Sequence, residues 1–206
     1  DRERRLESGS SSPTNASRAS PARRQALVIS VIVYGRNDAH GYNLHRRAAL
    51  SLNCIAEVLT DSDDEIVFVD YNTQDELPTF VESLADTLTD RCLSLLRVLR
   101  VPAAIHRQRF ASLTHLPAIE PVARNAGVRR ATPSNRWLLL TNTDMIFVPL
   151  SDQSLSEVCR DLPNGFYGLP RFELPEWLWE GQPRSDPRCA MVEIARLGPR
   201  LRLDEP

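Results

Sequence analysis

Apolar runs and segments of helical periodicity alternate along residues 27–147. Strand-like apolar runs occupy residues 27–34, 66–69, 93–101 and 138–147, and the last run is interrupted by polar residues. Apolar residues recur at helical spacing over residues 43–60, 77–88 and 119–130. Apolar runs that alternate with amphipathic helices are typical of a parallel sheet covered on both faces. The order β-α-β-α-β-α-β therefore predicts an α/β fold with a Rossmann-like, mostly parallel, doubly wound sheet.

The two ends of the chain lack this regular pattern. Residues 1–25 contain almost no apolar side chains and are rich in Ser, Arg and Pro, so burial cannot offset the entropy lost on ordering. We expect a disordered tail there, followed by one domain over residues 26–206. After Pro149 we expect a short helix at 153–161, a strand at 166–172, and a turn that leads into a helical piece at 173–180.

Composition removes several function classes. The formal net charge of −2 gives no reason to expect a nucleic acid or an anionic membrane as partner. All 25 basic residues are arginine, which excludes Schiff-base and P-loop lysines. The four cysteines are far apart and lack zinc-ligand spacing, so we expect reduced, mostly packed thiols. No run has the roughly 18 apolar residues of a transmembrane segment and no signal core follows the N-terminus, so we expect a cytoplasmic protein.

Polar residues follow three of the predicted strands, at the carboxyl ends where open parallel sheets bind their ligands. They are Tyr34, Gly35, Arg36, Asn37 and Asp38 after the first strand, Asp70, Tyr71, Asn72 and Thr73 after the second, and Asn142, Thr143 and Asp144 after the fourth. Asp144 lies between two apolar runs, where an unpaired charge is costly. We therefore expect another group to compensate its charge.

The commonest nucleotide motifs are absent. Gly35 stands alone after the first strand, without the further glycines of a dinucleotide-binding loop, and there is no Walker sequence. A methyltransferase-like site could use Asp70 for a ribose, but its Gly-rich first loop is missing too. The missing loop weakens the methyltransferase-like interpretation, which stays an alternative.

Four segments, in the same order along the chain, resemble the signature segments of family 2 glycosyltransferases. They are VISVIVYGRND, EIVFVDYNT, EPVARNAG and WLLLTNTDMIF, and they fall within residues 27–147. The resemblance implies a GT-A fold and an inverting enzyme of the hexosyltransferase type that binds a nucleoside diphosphate sugar. It also implies Mn²⁺ or Mg²⁺, which would bridge the two phosphates as a Lewis acid.

The same resemblance implies roles for individual residues. Asp144 would be the metal ligand, and Asn142, at the first position of an Asp-x-Asp motif, would bind a ribose hydroxyl. Asp70 would accept a hydrogen bond from the base, and Tyr71 would stack on it. Arg124 would pair with Asp144 or with a phosphate. The remaining residues of the nucleotide pocket would come from the first strand and its loop, namely Tyr34, Arg36 and Asn37.

Transfer of the sugar to an acceptor hydroxyl needs a general base. Glu173, Glu176 and Asp186 are candidates, none of them singled out by the sequence, and the base could also lie beyond Pro206. We expect the acceptor-binding part, for a saccharide, lipid or protein, to be incomplete, and this chain to bind donor without turnover. Two alternatives remain: a non-catalytic nucleotide-binding module, favoured by Asn142 and the missing base, and the methyltransferase-like enzyme.

Overall fold

A computed structural model describes residues 29–38, 41–149 and 151–198. The tail expected at residues 1–25 lies outside the described residues. The strands are β1 (Ile29–Gly35), β2 (Glu65–Tyr71), β3 (Leu96–Val101) and β4 (Trp137–Leu140). The helices are α1 (Leu44–Val58), α2 (Asp90–Leu95), α3 (Ala103–Phe110), α4 (Glu120–Val128), α5 (Leu155–Asp161), α6 (Glu176–Glu180) and α7 (Pro187–Leu197), with a 3₁₀ helix at Glu82–Thr87.

The four strands form one sheet in the order β3-β2-β1-β4, and every pair is parallel. Ile32 of β1 is in register with Val67 of β2 on one side and with Leu140 of β4 on the other. The predicted α/β class and parallel sheet are confirmed. Because β2 and β4 flank β1 on opposite sides, the strand order reverses between β1 and β4, and ligands of open α/β sheets bind at such a switch point.

Helices cover both faces of this sheet. On one face, α1 buries Ala48, Leu52 and Ile55 in the same cluster as Val31 and Val33 of β1. On the other face, α4 buries Ala123 against Val69 and Tyr71. Gly127 allows α4 to approach the sheet closely, since a Cβ atom there would lie 2.5 Å from Cγ2 of Ile32. The turn after β4 therefore lies between helices that approach from opposite faces.

Two of the predicted elements before residue 102 differ from the structure. The third strand begins at Leu96, because Thr89 caps a short helix whose Cys92 N–H donates to the Thr89 hydroxyl oxygen at 3.2 Å. The helix expected over 77–88 is reduced to the 3₁₀ helix. Pro78 precedes it, and Glu82 accepts from the backbone N–H of Thr79 at 2.7 Å, so that the chain turns before it can form a longer helix.

Further differences lie in the second half of the chain. The stretch after Pro102, expected to be irregular, forms α3, and α7 follows Asp186 without having been predicted. The fourth strand ends at Leu140. Its leucines are not a buried core, since Leu138 and Leu140 are 47% and 45% exposed, because β4 pairs with β1 alone among the described residues. No strand forms at 166–172, where Phe172 alone makes an isolated backbone bridge.

The other expected elements of this half are present in shorter form. The helix predicted at 153–161 spans Leu155–Asp161, and the helical piece expected within 173–180 is Glu176–Glu180. Across the described residues, no helix is both long enough and apolar enough to cross a membrane.

Candidate functional site

The polar residues that follow β1, β2 and β4 meet at the carboxyl edge of the sheet. The backbone N–H of Asn37 donates to the Thr73 hydroxyl oxygen at 2.9 Å, which joins the first loop to the second. The Thr143 hydroxyl donates to the backbone carbonyl of Tyr34, which joins the turn after β4 to the end of β1. The three segments that the sequence placed at one edge therefore contact one another.

Asp144 forms an ion pair with Arg47, which lies in the first turn of α1. Nη1 of Arg47 is 2.5 Å from Oδ2 of Asp144, and its Nε donates to the carbonyl of Tyr42 at 3.1 Å. The two charged side chains are 30% and 29% exposed, so both are partly shielded from water. The group that compensates Asp144 is thus Arg47, which the sequence did not single out, and not Arg124.

Arg124 instead contacts Asn142, from the opposite face of the sheet. Its Nη2 donates to Oδ1 of Asn142 at 2.7 Å and lies 2.8 Å from Oε1 of Glu120. Its Nε is buried and has no hydrogen-bond partner in the described part of the chain. The guanidinium carbon of Arg124 lies 6.0 Å from the ring centroid of Tyr34, within reach of a cation–π interaction.

The phenol of Tyr34 completes this side of the turn. Its hydroxyl donates to Oε2 of Glu120 at 3.1 Å. Burial raises the pKa of Tyr34 above its usual value, and the negative charge and hydrogen bond of Glu120 raise it further. Tyr34 is therefore a neutral hydrogen-bond donor at physiological pH.

Asp70 and Tyr71, the residues expected to contact the base, are both fully buried. Oδ1 of Asp70 accepts from the Thr73 hydroxyl and from the Phe80 N–H, each at 2.8 Å. The Tyr71 hydroxyl lies 3.0 Å from Nδ1 of His106, whose ring packs edge-on against the phenol. In this arrangement neither side chain presents a surface to a ligand, and their contact with a base stays a prediction that requires the loop to move.

Arg36 and Asn37 lie at the mouth of the first loop, where both are partly exposed. Nε of Arg36 is 3.2 Å from Oδ2 of Asp38. The Asn37 amide donates to the carbonyl of Pro78 at 3.0 Å, and its oxygen lies 3.1 Å from Nε2 of His45. Asn37 therefore holds the loop together, while the charge of Arg36 is balanced by that of Asp38.

A divalent metal does not fit the donor atoms of the turn as they are arranged here. Among the described residues, no group of three or more His, Cys, Asp or Glu side chains is placed to share a metal ion. Mg²⁺ and Mn²⁺ prefer carboxylate and other oxygen ligands. The Asp144 carboxylate faces the guanidinium of Arg47 instead, and the Asn142 amide oxygen faces that of Arg124. A cation at this place would be repelled by both arginines.

A large groove adjoins the turn on the α1 side and has a volume of about 1020 Å³. Arg47, Thr141 and Asp144 form its polar end. Apolar side chains make up much of the remaining wall, among them Ile146, Phe147, Leu169, Phe172 and Trp179. A groove of this size, apolar with a few convergent polar groups, is typical of a small-molecule site.

The three candidate bases differ in their placement. Asp186 caps α7, with an oxygen that accepts from the Cys189 N–H at 3.0 Å. Glu176 accepts a hydrogen bond from Tyr42 at the first turn of α6, and this bond raises the pKa of Tyr42. Glu173 is exposed and lies in sequence between Phe172 and Leu174, which both line the groove. None of the three carboxylates lines the groove in the described part of the chain.

Comparisons with protein families, with curated proteins and with solved structures return no match. The resemblance to glycosyltransferases therefore rests on the four sequence segments alone. The structure itself defines an α/β protein with a parallel four-stranded sheet, and with charged residues gathered where the strand order reverses.

Proposed function

We propose that this chain binds a nucleoside diphosphate sugar at the switch point between β1 and β4 and is the donor-binding part of a glycosyltransferase. The observation that carries the proposal is the turn at 141–144. It lies at the carboxyl edge of a parallel sheet, the Thr143 hydroxyl fixes it to β1, and two arginines approach it. Ligands of open α/β sheets bind at this position.

The chemistry of sugar transfer agrees with the charges around the turn. An acceptor hydroxyl oxygen would attack the anomeric carbon while the bond to the diphosphate breaks, so negative charge grows on the leaving diphosphate. Fixed positive charges aimed at that group stabilise the transition state more than the ground state. The groove next to Asp144 would hold the acceptor, and a general base, not identified among Glu173, Glu176 and Asp186, would take the hydroxyl proton.

The non-catalytic nucleotide-binding module remains the second candidate. It is favoured by the ion pair that occupies Asp144 and the hydrogen bond that occupies Asn142. Among the described residues, the turn itself also lacks a carboxylate free of such partners. The methyltransferase-like alternative needs an exposed Asp70, and the burial of that side chain gives it no support.

Thermal unfolding with added ligands tests the proposal. We expect UDP, GDP or dTDP at a hundred times its dissociation constant to stabilise the chain by about 2.7 kcal/mol, which corresponds to roughly 5–10 °C. Asn142→Ala should reduce the shift. Asn164→Ala should not, because Asn164 lies away from the turn and, in the part of the chain that the structure describes, accepts a hydrogen bond from Arg136.

Two results would contradict the proposal. One is the lack of any shift with all three nucleoside diphosphates, and the other is a shift with S-adenosylmethionine alone, which would favour the methyltransferase-like enzyme. If a diphosphate does bind, release of free sugar from the matching donor distinguishes an enzyme from a binding module.

A further inference from the structure

The positive charges at the turn belong to arginines that approach from opposite faces of the sheet. Arg47 comes from α1 and Arg124 from α4. Their partners Asp144 and Asn142 are two residues apart, which limits the separation of the two Cα atoms to about 7 Å. Both guanidiniums therefore approach one short turn.

Each guanidinium keeps donors that the protein does not use. Arg47 engages Nε and Nη1, and Nη2 makes no hydrogen bond within the described ranges. Arg124 has a buried Nε without a partner in those ranges. A buried donor without an acceptor costs free energy, so such groups in native proteins are commonly satisfied by a ligand, an ion or water. A bound oxyanion would supply the missing acceptors.

Arginine suits an oxyanion for a geometric reason. Its planar guanidinium presents N–H groups as a fork that matches two phosphate oxygens, which a point charge such as a metal ion or an ammonium does not. Its charge is also independent of pH in the range where proteins are folded. Two forks beside one turn could donate hydrogen bonds to a diphosphate while each arginine keeps its carboxylate partner, Asp144 or Glu120.

We propose that Arg47 and Arg124 bind the diphosphate of the ligand directly, in place of a divalent metal. This inference rests on the proposed function and deepens it. Asp144 is then a positioning residue that holds the Arg47 guanidinium at the turn. It is not a metal ligand, and the binding of a diphosphate needs no Mn²⁺ or Mg²⁺.

Titration calorimetry with inorganic pyrophosphate, in EDTA and again with Mn²⁺, tests this proposal. We expect binding in EDTA. Arg47→Gln and Arg124→Gln should each weaken it by about 10- to 100-fold, the loss typical of one charge-assisted hydrogen-bonding group. Arg46→Gln is the matched control, because Arg46 is the adjacent arginine of α1, is exposed, and within the described residues donates one hydrogen bond, to the carbonyl of Glu180 at 3.5 Å.

Asp144→Asn separates the two accounts most sharply. If the arginines bind the anion, this change removes a competing negative charge while the amide oxygen can still accept from Arg47, so pyrophosphate in EDTA binds at least as tightly as to the wild type. If Asp144 is a metal ligand, the same change abolishes a binding that requires Mn²⁺. Arg47→Lys keeps the charge but loses the fork, so we expect an affinity between those of the wild type and Arg47→Gln.

Arg47→Gln alone would leave Asp144 without its partner and could unfold the chain. The double variant Arg47→Gln/Asp144→Asn removes both charges together, so we expect its unfolding midpoint to stay near that of the wild type. If this folded variant no longer binds pyrophosphate, the role of Arg47 is confirmed. Binding that appears only with Mn²⁺, or no binding to the wild type in EDTA, would overturn the inference.

The outcome for the proposed function can be read separately. Metal-dependent binding of UDP, GDP or dTDP would overturn the inference and keep the function. If pyrophosphate binds without metal, and no nucleoside diphosphate binds more tightly than pyrophosphate, the arginine site is supported and the nucleotide function is refuted.

Discussion

Replacement of Asp70 by alanine tests whether this buried carboxylate holds the loop after β2 together. One of its oxygens accepts from the Thr73 hydroxyl and from the Phe80 N–H, and all three residues are fully buried. The other oxygen lies 3.8 Å from Nε of Arg100, whose Nη2 also donates to the carbonyls of Gln74 and Leu77 in the same loop. Asp70 thus connects the sheet with residues 73–80.

The magnitude follows from the two donors that lose their acceptor. A buried donor left without a partner costs about 1–3 kcal/mol, so the two together give about 2–6 kcal/mol. We expect a loss near 3 kcal/mol, because the loop can relax and let water reach one donor. With a urea m-value of about 2 kcal/mol/M, the unfolding midpoint falls by about 1.5 M. Asp70→Asn keeps one acceptor oxygen and should lose less than half of this.

Urea unfolding followed by circular dichroism measures the effect, with Asp75→Ala as control. Asp75 is an exposed residue of the same type in the same loop, and we expect its removal to change stability by less than about 0.5 kcal/mol. If Asp70→Ala were as stable as Asp75→Ala and yet bound a nucleoside diphosphate tenfold more weakly, the structural role would be refuted. Asp70 would then be a ligand of the base, as the sequence resemblance implies.

Three further predictions concern packing, thiols and acid stability. Gly127→Ala should destabilise the chain by about 1–2 kcal/mol in urea, since its Cβ would lie 2.5 Å from Cγ2 of Ile32. Gly198→Ala is the control, because an added Cβ there meets no atom of the described residues within 4 Å, and equal stability of the two variants would contradict the prediction. A thiol reagent at pH 8 should modify the exposed Cys189 first, because burial raises the pKa of Cys54 and of Cys92 to about 12. A second thiol that reacts as fast as Cys189 would contradict this prediction. Burial alone would raise the pKa of Glu65, but hydrogen bonds from Ser30 and Thr132 and the charge of Arg97 outweigh it and lower the pKa below 4.5. The stability that Glu65 contributes is therefore present above pH 4.5 and is lost as the pH falls through the lowered pKa. In Glu65→Gln the free energy of unfolding should therefore fall less steeply with decreasing pH than in the wild type. Parallel plots of unfolding free energy against pH for variant and wild type would refute this prediction.

The sequence predicted the fold where burial itself produced the pattern. Strands β1 and β2 are buried on both faces, so their apolar runs are continuous, and α1 follows the helical spacing of its buried residues. Helix α3 was not predicted because it buries only two residues, Ala103 and His106, and two buried residues do not form an apolar stripe. Its position depends on the contact of His106 with Tyr71, which local sequence does not reveal.

The sequence predicted where the candidate site lies, but not which side chains contact one another there. The carboxyl ends of β1 and β4 could be located from the strand pattern, and the structure brings Tyr34 and Asn142 together with Arg124 there. Arg47 could not be chosen over Arg46, because both precede the buried part of α1 and only the tertiary arrangement directs one of them to Asp144. The Asp-Pro pair at 186–187 was an available signal for the start of α7, since Asp caps helices and Pro favours their first turn.

Hydrogen exchange with and without a bound nucleoside diphosphate tests the central claim most directly. The diphosphate that most stabilises the chain would be added at saturation, and the exchange of backbone amides would be followed by mass spectrometry of peptides. We predict slower exchange in the peptides that cover residues 34–38 and 141–146, on the two sides of the switch point. If the ligand raises the unfolding temperature while neither segment changes, the nucleotide binds elsewhere and the proposed site is wrong.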